Sequence, residues 1–572
     1  MTGRPARTSA PPAARATPRV PAAPARAGTL LPAAADDRLA ECVGSCCAAA
    51  RGAQAEWANG RLRDRLQILR RLRLAVADDP RALAVTVPRE NVAETLAAEV
   101  LPLLDACRFL ELEAPRILRE RTLGRRGRPT WLWGNAVRLR PEPLGVALVV
   151  GPANYPLMLP GIQALQALAA GNGVLVKPAP HGSACLRSLL SLARSAGLPE
   201  GLLQLLPEAP EAAAAAIRTG VDKVFLTGSA GAGRAVSREL AESTTPAVME
   251  LSGCDAVFLL EDADLDLVSD CLSWGLTLNQ GRTCLAPRRV FARPWQAAAV
   301  VPRLASKLEQ RARAAVASRN GCETPAGSSA SPRAAAACLS IGAARSARLQ
   351  EELIAEAVRD GAELVVAPLA GGTPGDAGEV AILDRVSSRM SIARTDLFAP
   401  VVSFIRVDSD ADALRENAQC PLALGATVFG SRASCQAFAR RIPAGCVAIN
   451  DLIVPTADPR VPFGGRWMSG HGKTRGEAGL LEMTHLKAIV APRRWFKPHL
   501  HEPTAADADA LQQLIRLEHA GNRLQSLSAA PKLLQATIRQ VKLRSLTRRR
   551  PALAALSDDG ADDGDLRGAA SE

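Results

Sequence analysis

From residue 144 to residue 241, short apolar runs that end at glycine or proline alternate with stretches of helical spacing, and few folds accept that alternation. Residues 144–151 form a continuous apolar run closed by Gly151-Pro152, the pattern of a strand buried on both faces. Residues 173–176, 202–206 and 223–226 read as further strands, and helices are predicted over 183–196 and 232–241. Such alternation predicts a parallel sheet covered by helices, a Rossmann-like, doubly wound α/β unit. The pattern restarts beyond Glu250. Strands are predicted at 256–260, 288–292, 364–367 and 446–449, with helices at 265–278 and 344–359, so a second α/β unit is expected. Upstream, Leu66, Leu69, Leu72 and Val76 fall at helical intervals, and residues 36–125 read as helices. Residues 131–139 have strand-like side chains, and 317–337, rich in Ser, Ala, Gly and Pro, read as a loose loop.

A chain of 572 residues can hold two or three domains around a substantial core. Apolar residues make up 48%, which excludes a mainly disordered protein. The net charge of +13 comes without any nucleic-acid-binding motif, so it is assigned to an arginine-rich composition and basic tails, and no nucleic acid partner is expected. Thirteen cysteines show no framework of spacings, and the one tight cluster, Cys42, Cys46 and Cys47, lacks a matching pair or a nearby histidine. No metal site is expected. No apolar stretch near the start suits a signal peptide, and none reaches about eighteen residues, so no membrane span and a cytoplasmic, reduced protein are expected.

Both ends differ from the body. Residues 1–35 hold seven prolines and no acid, which predicts a disordered Ala/Pro/Arg-rich tail rather than the amphipathic helix of a transit peptide. Residues 532–550 carry seven basic residues and no acid, with Leu534, Ile538 and Val541 on one helical side. That segment reads as a solvated helix or a disordered extension, with contact to an anionic surface as the alternative.

Three segments carry chemistry. Asn279-Gln280-Gly281-Arg282-Thr283-Cys284 ends in a thiol, Met249-Glu250-Leu251-Ser252-Gly253 holds a carboxylate, and Gly151-Pro152-Ala153-Asn154-Tyr155-Pro156 holds an amide. A thiolate attacks a carbonyl carbon, a carboxylate can deprotonate water, and an amide N–H can stabilise a developing oxyanion. Each residue also has a plainer reading: Cys284 as a small buried hydrophobe, Glu250 as an ion-pair partner, Asn154 as a turn residue. Gly228-Ser229-Ala230-Gly231-Ala232-Gly233 follows a predicted strand and opens a helix, a weak phosphate-binding signal when taken alone.

Taken in order, these segments resemble the aldehyde dehydrogenase superfamily. Pro143-Leu144-Gly145-Val146, Ala169-Ala170-Gly171-Asn172, Lys177-Pro178, Phe225-Leu226-Thr227-Gly228-Ser229, Asp396-Leu397-Phe398-Ala399-Pro400 and Pro462-Phe463-Gly464-Gly465 extend the likeness over roughly residues 36–495. The resemblance implies a cofactor domain, a catalytic domain and a bridging oligomerisation hairpin. The corresponding expectations are a tail over 1–35 and a cofactor domain over 36–251, with its hairpin near 131–143. A catalytic domain follows over 252–450, then a return segment over 451–497 and a basic helical or disordered extension over 498–572. It implies Cys284 as nucleophile, Glu250 as general base and Asn154 as oxyanion donor, with NAD or NADP as cofactor. Lys177 would bond the adenosine ribose, Gly228, Ser229 and Gly233 would lie near the pyrophosphate, and Asp396 and Phe398 would hold the nicotinamide end.

Several positions depart from that pattern. Asp396 replaces the usual glutamate, Ala399 a glycine and Cys254 a frequent lysine. Pro180 stands where NAD-preferring relatives carry a glutamate, which leaves the choice between NAD and NADP open. Ala153 and Leu278 replace common aromatics and suggest a wider pocket for aliphatic aldehydes. The expected activity is oxidation of an aldehyde to a carboxylic acid through a cysteine thiohemiacetal and thioester, in a homodimer or homotetramer. The alternatives are transfer of the thioester to coenzyme A and a catalytically weak structural subunit.

Overall fold

Two sheets organise the chain, and only the four residues 251–254 separate a strand of one from a strand of the other. The computed structural model describes residues 33–547 apart from 90, 133, 321–339, 368–379, 493–499 and 501. The first sheet runs in the order Gly470–His471, Ala247–Glu250, Lys223–Thr227, Val146–Val150, Gly173–Lys177, Leu203–Leu205. Its strands are parallel except the short Gly470–His471. Val146–Val150 is buried at every position, as its unbroken apolar run requires of a central strand covered on both faces.

The second sheet has the order Glu363–Val366, Ala381–Asp384, Val401–Arg406, Pro287–Ala292, Asp255–Leu259, Gly425–Phe429, Cys446–Ile449. Only Glu363–Val366 is antiparallel to its neighbour. The two expected doubly wound α/β units are therefore present, with strand boundaries within a residue or two of the expectation.

Helix Met158–Ala170 is buried along almost its whole length, because it lies against the first sheet on one side and the N-terminal helices on the other. Gly171 ends it in a left-handed conformation (φ 98°). The adjoining Asn172 accepts from the Leu144 and Gly145 N–H groups (2.6 and 3.1 Å) and donates to the Met483 carbonyl (2.9 Å), tying three segments together.

The strand-like stretch near residue 131 begins later than expected. Thr130–Leu132 forms a 3-10 turn, and the strand is Asn135–Pro143, paired antiparallel to Thr484–Pro492. Pro129 directly precedes that turn, where its fixed φ suits a turn rather than a strand. Helix Pro294–Asn320 runs into the region read as a loop from 317, and the rest of that loop to residue 337 lies outside the described residues. The expected tail over 1–35 also lies outside them, save its last three residues, which open helix Ala33–Asn59. Beyond residue 498 the described chain is helical: Ala505–His519, opened by a capping box of Thr504 and Asp507, and Arg523–Thr547 packed against it.

Candidate active site

The seam between the sheets brings the three segments together. Glu250 is the last residue of its strand, and Asp255 opens the first strand of the second sheet. Asp255 stands opposite Pro287 in the adjacent parallel strand, so Cys284, three residues before Pro287, falls beside the 251–254 crossover. A β-carbon at Gly253 would meet the Cys284 carbonyl oxygen at 2.6 Å, so only glycine permits that approach.

The loop before Cys284 is held in an unusual shape. Asn279, Gln280 and Gly281 have φ values of 48°, 58° and 68°, a left-handed turn that costs energy for the two non-glycine residues. Several bonds support it. The Asn279 N–H donates to Glu94 Oε1 (3.0 Å), the Asn279 amide to the Asn154 carbonyl (3.0 Å), and Arg288 to the Gly281 carbonyl (2.7 Å).

Asn154 Nδ2 donates to the Arg282 carbonyl at 3.1 Å, two residues from the thiol. An amide nitrogen has two hydrogens, so one remains for a substrate oxygen. The Asn154 carbonyl is gripped by Arg89 (2.5 Å), which pairs with buried Glu99 (3.3 Å) and lies over the Tyr155 ring. Tyr155, the only tyrosine, shares a hydrogen bond with Thr283 Oγ1 (2.8 Å) and so braces the loop beside Cys284.

Cys284 is half-buried as a residue. Burial of the group, with the Asp255 and Glu250 carboxylates nearby, pushes the thiol up to about 12, and the Arg475 guanidinium opposes that shift. Glu250 is 3% exposed, and burial raises its pKa. Thr474 donates to its Oε1, Thr227 donates to its Oε2 (3.3 Å), and Arg475 is close enough to favour its charge. Arg475 is buried at φ 60°, donates to the Thr456 carbonyl (2.8 Å) and lies over the Phe463 ring. Its Nε finds no hydrogen-bond partner among the described residues.

Thr474, Arg475 and Asp255 were not singled out from sequence. Thr474 lies 224 residues from Glu250, and no periodicity links them. Asp255 sits in the run Gly253-Cys254-Asp255, but spacing alone does not show that the chain changes sheets there.

The residues assigned to a cofactor lie on both sheets. Lys177 is the last residue of its strand, and burial lowers its amine pKa while Glu208 and Glu211 partly offset this. Gly228 and Ser229 follow strand Lys223–Thr227 at the same carboxyl edge of the sheet. Ser229 caps helix Ala230–Ser243 by accepting from the Ala232 N–H (3.2 Å), and the first turn of such a helix favours an anion. A β-carbon at Gly231 would meet only Ser229 Oγ, so the loop face is open, whereas one at Gly233 would meet Leu251 at 2.7 Å.

Asp396 accepts from the Phe398 N–H (3.0 Å) and lies 3.5 Å from Arg288, and burial raises its pKa. Its Oδ2 has no hydrogen-bond partner among the described residues, a buried acceptor that a ribose hydroxyl could satisfy. Phe398 has φ 50°. An anion-binding helix start, an open glycine loop and an orphaned carboxylate oxygen together fit a dinucleotide. Among the described residues no group of three or more His, Cys, Asp or Glu side chains could hold a metal.

The sequence pattern of the aldehyde dehydrogenase family matches residues 23–489. A geranial dehydrogenase of Castellaniella defragrans is 30% identical over 444 residues, 76% of this chain and 87% of that protein. A 4,4'-diapolycopene aldehyde oxidase of a Methylomonas species is 29% identical over 68% of this chain and 70% of its own. Among solved structures, an NADP-dependent glyceraldehyde-3-phosphate dehydrogenase of Bacillus halodurans complexed with NADP superposes with a TM-score of 0.68. It is 25% identical and covers 80% of this chain and 92% of that one. A Mycobacterium tuberculosis aldehyde dehydrogenase complexed with NAD+ shares the fold at a TM-score of 0.68 and 22% identity, over 80% and 92% of the two chains. This chain belongs to the aldehyde dehydrogenase family and is an NAD(P)-dependent enzyme of that class.

Proposed function

We propose that Cys284 is the nucleophile that adds to the aldehyde carbon, with Asn154 Nδ2 and the Cys284 backbone N–H receiving the oxyanion. The observation that carries this reading is the convergence of Cys284, Glu250 and Asn154 at the seam between the sheets. With its pKa pushed up to about 12, the thiol is neutral at pH 7 and must lose its proton as it attacks. That proton leaves to solvent water, and Glu250, a buried carboxylate with a raised pKa, stays free to act as the base on the hydrolytic water. NAD(P)+ held by the residues below would supply the hydride acceptor, and loss of hydride from the thiohemiacetal carbon leaves a thioester on Cys284. Glu250 then deprotonates water, the acid departs and the thiol is restored. Removing one oxyanion donor of this kind costs about 3 kcal/mol of transition-state stabilisation.

Lys177 and the Gly228–Gly233 loop bind the adenosine and pyrophosphate parts, and Asp396 and Phe398 the nicotinamide end. Pro180 offers no carboxylate to the ribose, but Glu208 does. It accepts from the His181 and Ser183 N–H groups (2.8 and 3.0 Å), beside Lys177. A fixed negative charge there disfavours a 2′-phosphate, so the reading is NAD+ over NADP+.

The substrate is an aliphatic, apolar aldehyde. Small Ala153 adjoins Asn154 and Leu278 adjoins Asn279, where aromatic side chains would narrow the entrance. Relatives include the geranial and 4,4'-diapolycopene enzymes, and also a vanillin dehydrogenase of Pseudomonas fluorescens. The enzyme works in the cytoplasm as a homodimer or homotetramer. The edge strand Thr484–Pro492, with exposed Leu486, Ile489 and Val490, supports association. No described helix is long and apolar enough to cross a membrane.

A panel of linear and aromatic aldehydes, assayed with NAD+ and NADP+ and with the Cys284→Ser and Glu250→Gln variants, tests the reading. Loss of turnover in both variants supports it. Strict dependence on coenzyme A would replace water with that thiol as acceptor, and full activity in Cys284→Ser would remove the proposed nucleophile.

A further inference from the structure

The two C-terminal helices carry an apolar stripe that faces away from the molecule. Among the described side chains of Arg523–Thr547, Ser526, Ala529, Leu533 and Ala536 are buried or half-buried, and this side packs on helix Ala505–His519. Leu524, Leu527, Leu534 and Ile538 occupy the opposite side and are 75%, 68%, 63% and 48% exposed. Their spacing of three, four and seven residues places them on one stripe, continued in sequence by Val541. Exposed Lys532 and Arg539 flank the stripe. A helix that merely dissolves in water does not need four large aliphatic side chains in a row pointing outward.

A second basic element adjoins the first. The Thr130 N–H donates to Glu518 Oε1 (2.8 Å) in helix Ala505–His519, which fixes the preceding loop against the helical pair. That loop exposes Arg119, Arg121, Arg125 and Arg126, followed by Trp131 at 58% exposure.

The geometry points to a membrane-docking surface: the stripe Leu524-Leu527-Leu534-Ile538, with Trp131 and the flanking arginines and lysines, lies on the face of a bilayer that carries anionic headgroups. Aliphatic side chains enter the acyl boundary, a tryptophan rests at headgroup depth, and cations pair with the lipid charge. Charge selects this occupant over others. Lys532, Arg539, Arg119, Arg121, Arg125 and Arg126 are all exposed, so two copies meeting stripe to stripe would bring like charges together. A nucleic acid would match the charge but leave the leucines without an apolar partner. The surface contains none of the residues placed in the catalytic or cofactor site.

The full chain is sedimented with vesicles of phosphatidylcholine alone and of phosphatidylcholine mixed with phosphatidylglycerol. The expected result is sedimentation with the anionic vesicles only, weakened by salt. The double change Leu534→Gln, Ile538→Gln should reduce vesicle partitioning about tenfold while leaving aldehyde oxidation and the circular dichroism spectrum unchanged. Lys532→Glu with Arg539→Glu should act in the same direction. Equal sedimentation with neutral vesicles, or none with either, overturns the inference. So does a Leu534- and Ile538-dependent oligomer in light scattering, or RNA retention, without vesicle binding.

Discussion

A β-carbon on Gly253 would stand 2.6 Å from the carbonyl oxygen of Cys284, which makes Gly253 a condition for the position of the nucleophile. Gly253→Ala must displace the Cys284 loop. A shift of about 1 Å in a reacting group costs on the order of 100-fold in rate. The variant should therefore lose about that factor in kcat while its far-UV circular dichroism stays native. An unchanged kcat would show that the loop can yield at no cost.

Thr474 sets the charge of Glu250. Burial raises the pKa of Glu250, and the Thr474 hydroxyl opposes that by bonding the ionised form. In Thr474→Val the pKa rises further, so the base form appears only at higher pH. The acid limb of the kcat–pH profile should move toward higher pH, with activity recovered under alkaline conditions. A profile that stays in place would remove Thr474 from the ionisation of the base.

Asp255 links stability to pH. Burial pushes its carboxyl up to about 7, above an ordinary aspartate value near 4. Between those values the folded chain binds a proton that the unfolded chain has lost. The contribution is thus present below about pH 4 and is lost as pH rises through about 7. Asp255→Asn, which keeps an acceptor for the Gly425 N–H, should flatten the fall in stability across that window. Urea unfolding at a series of pH values reads the difference. Glu99, pushed up to about 7 by burial, retains its own share in the variant.

Glu208 should govern cofactor choice. Its carboxylate is held by two backbone N–H groups next to Lys177. Glu208→Gln removes the charge and keeps one of the two acceptor oxygens, and should raise kcat/KM for NADP+ relative to NAD+ by about tenfold. An unaltered ratio would place the 2′-position elsewhere.

Local signals in the sequence were strong where one segment decides its own structure. The run at Val146–Val150 could only be a buried central strand, and Asn279-Gln280-Gly281 carried the turn chemistry that delivers Cys284. What spacing could not disclose was register. The pairing of Asp255 with Pro287 needs two strands separated by a helix to meet in register, and the hydrogen bond from Thr474 to Glu250 joins side chains 224 residues apart. Residues 131–139 read as strand from their side chains although Pro129 favours the turn Thr130–Leu132, and helix Pro294–Asn320 extends past residue 317, where composition alone predicts a loop. The stripe at Leu534 and Ile538 was visible as a period, but which way it faced was not.

The most direct measurement is intact-protein and peptide mass spectrometry of Glu250→Gln, quenched in acid after mixing with an aldehyde and NAD+. With deacylation blocked, the account predicts a mass increase equal to the acyl group, located on the peptide that contains Cys284, together with one equivalent of NADH. NADH formed while Cys284 stays unmodified, or an acyl group carried by another cysteine, would contradict it.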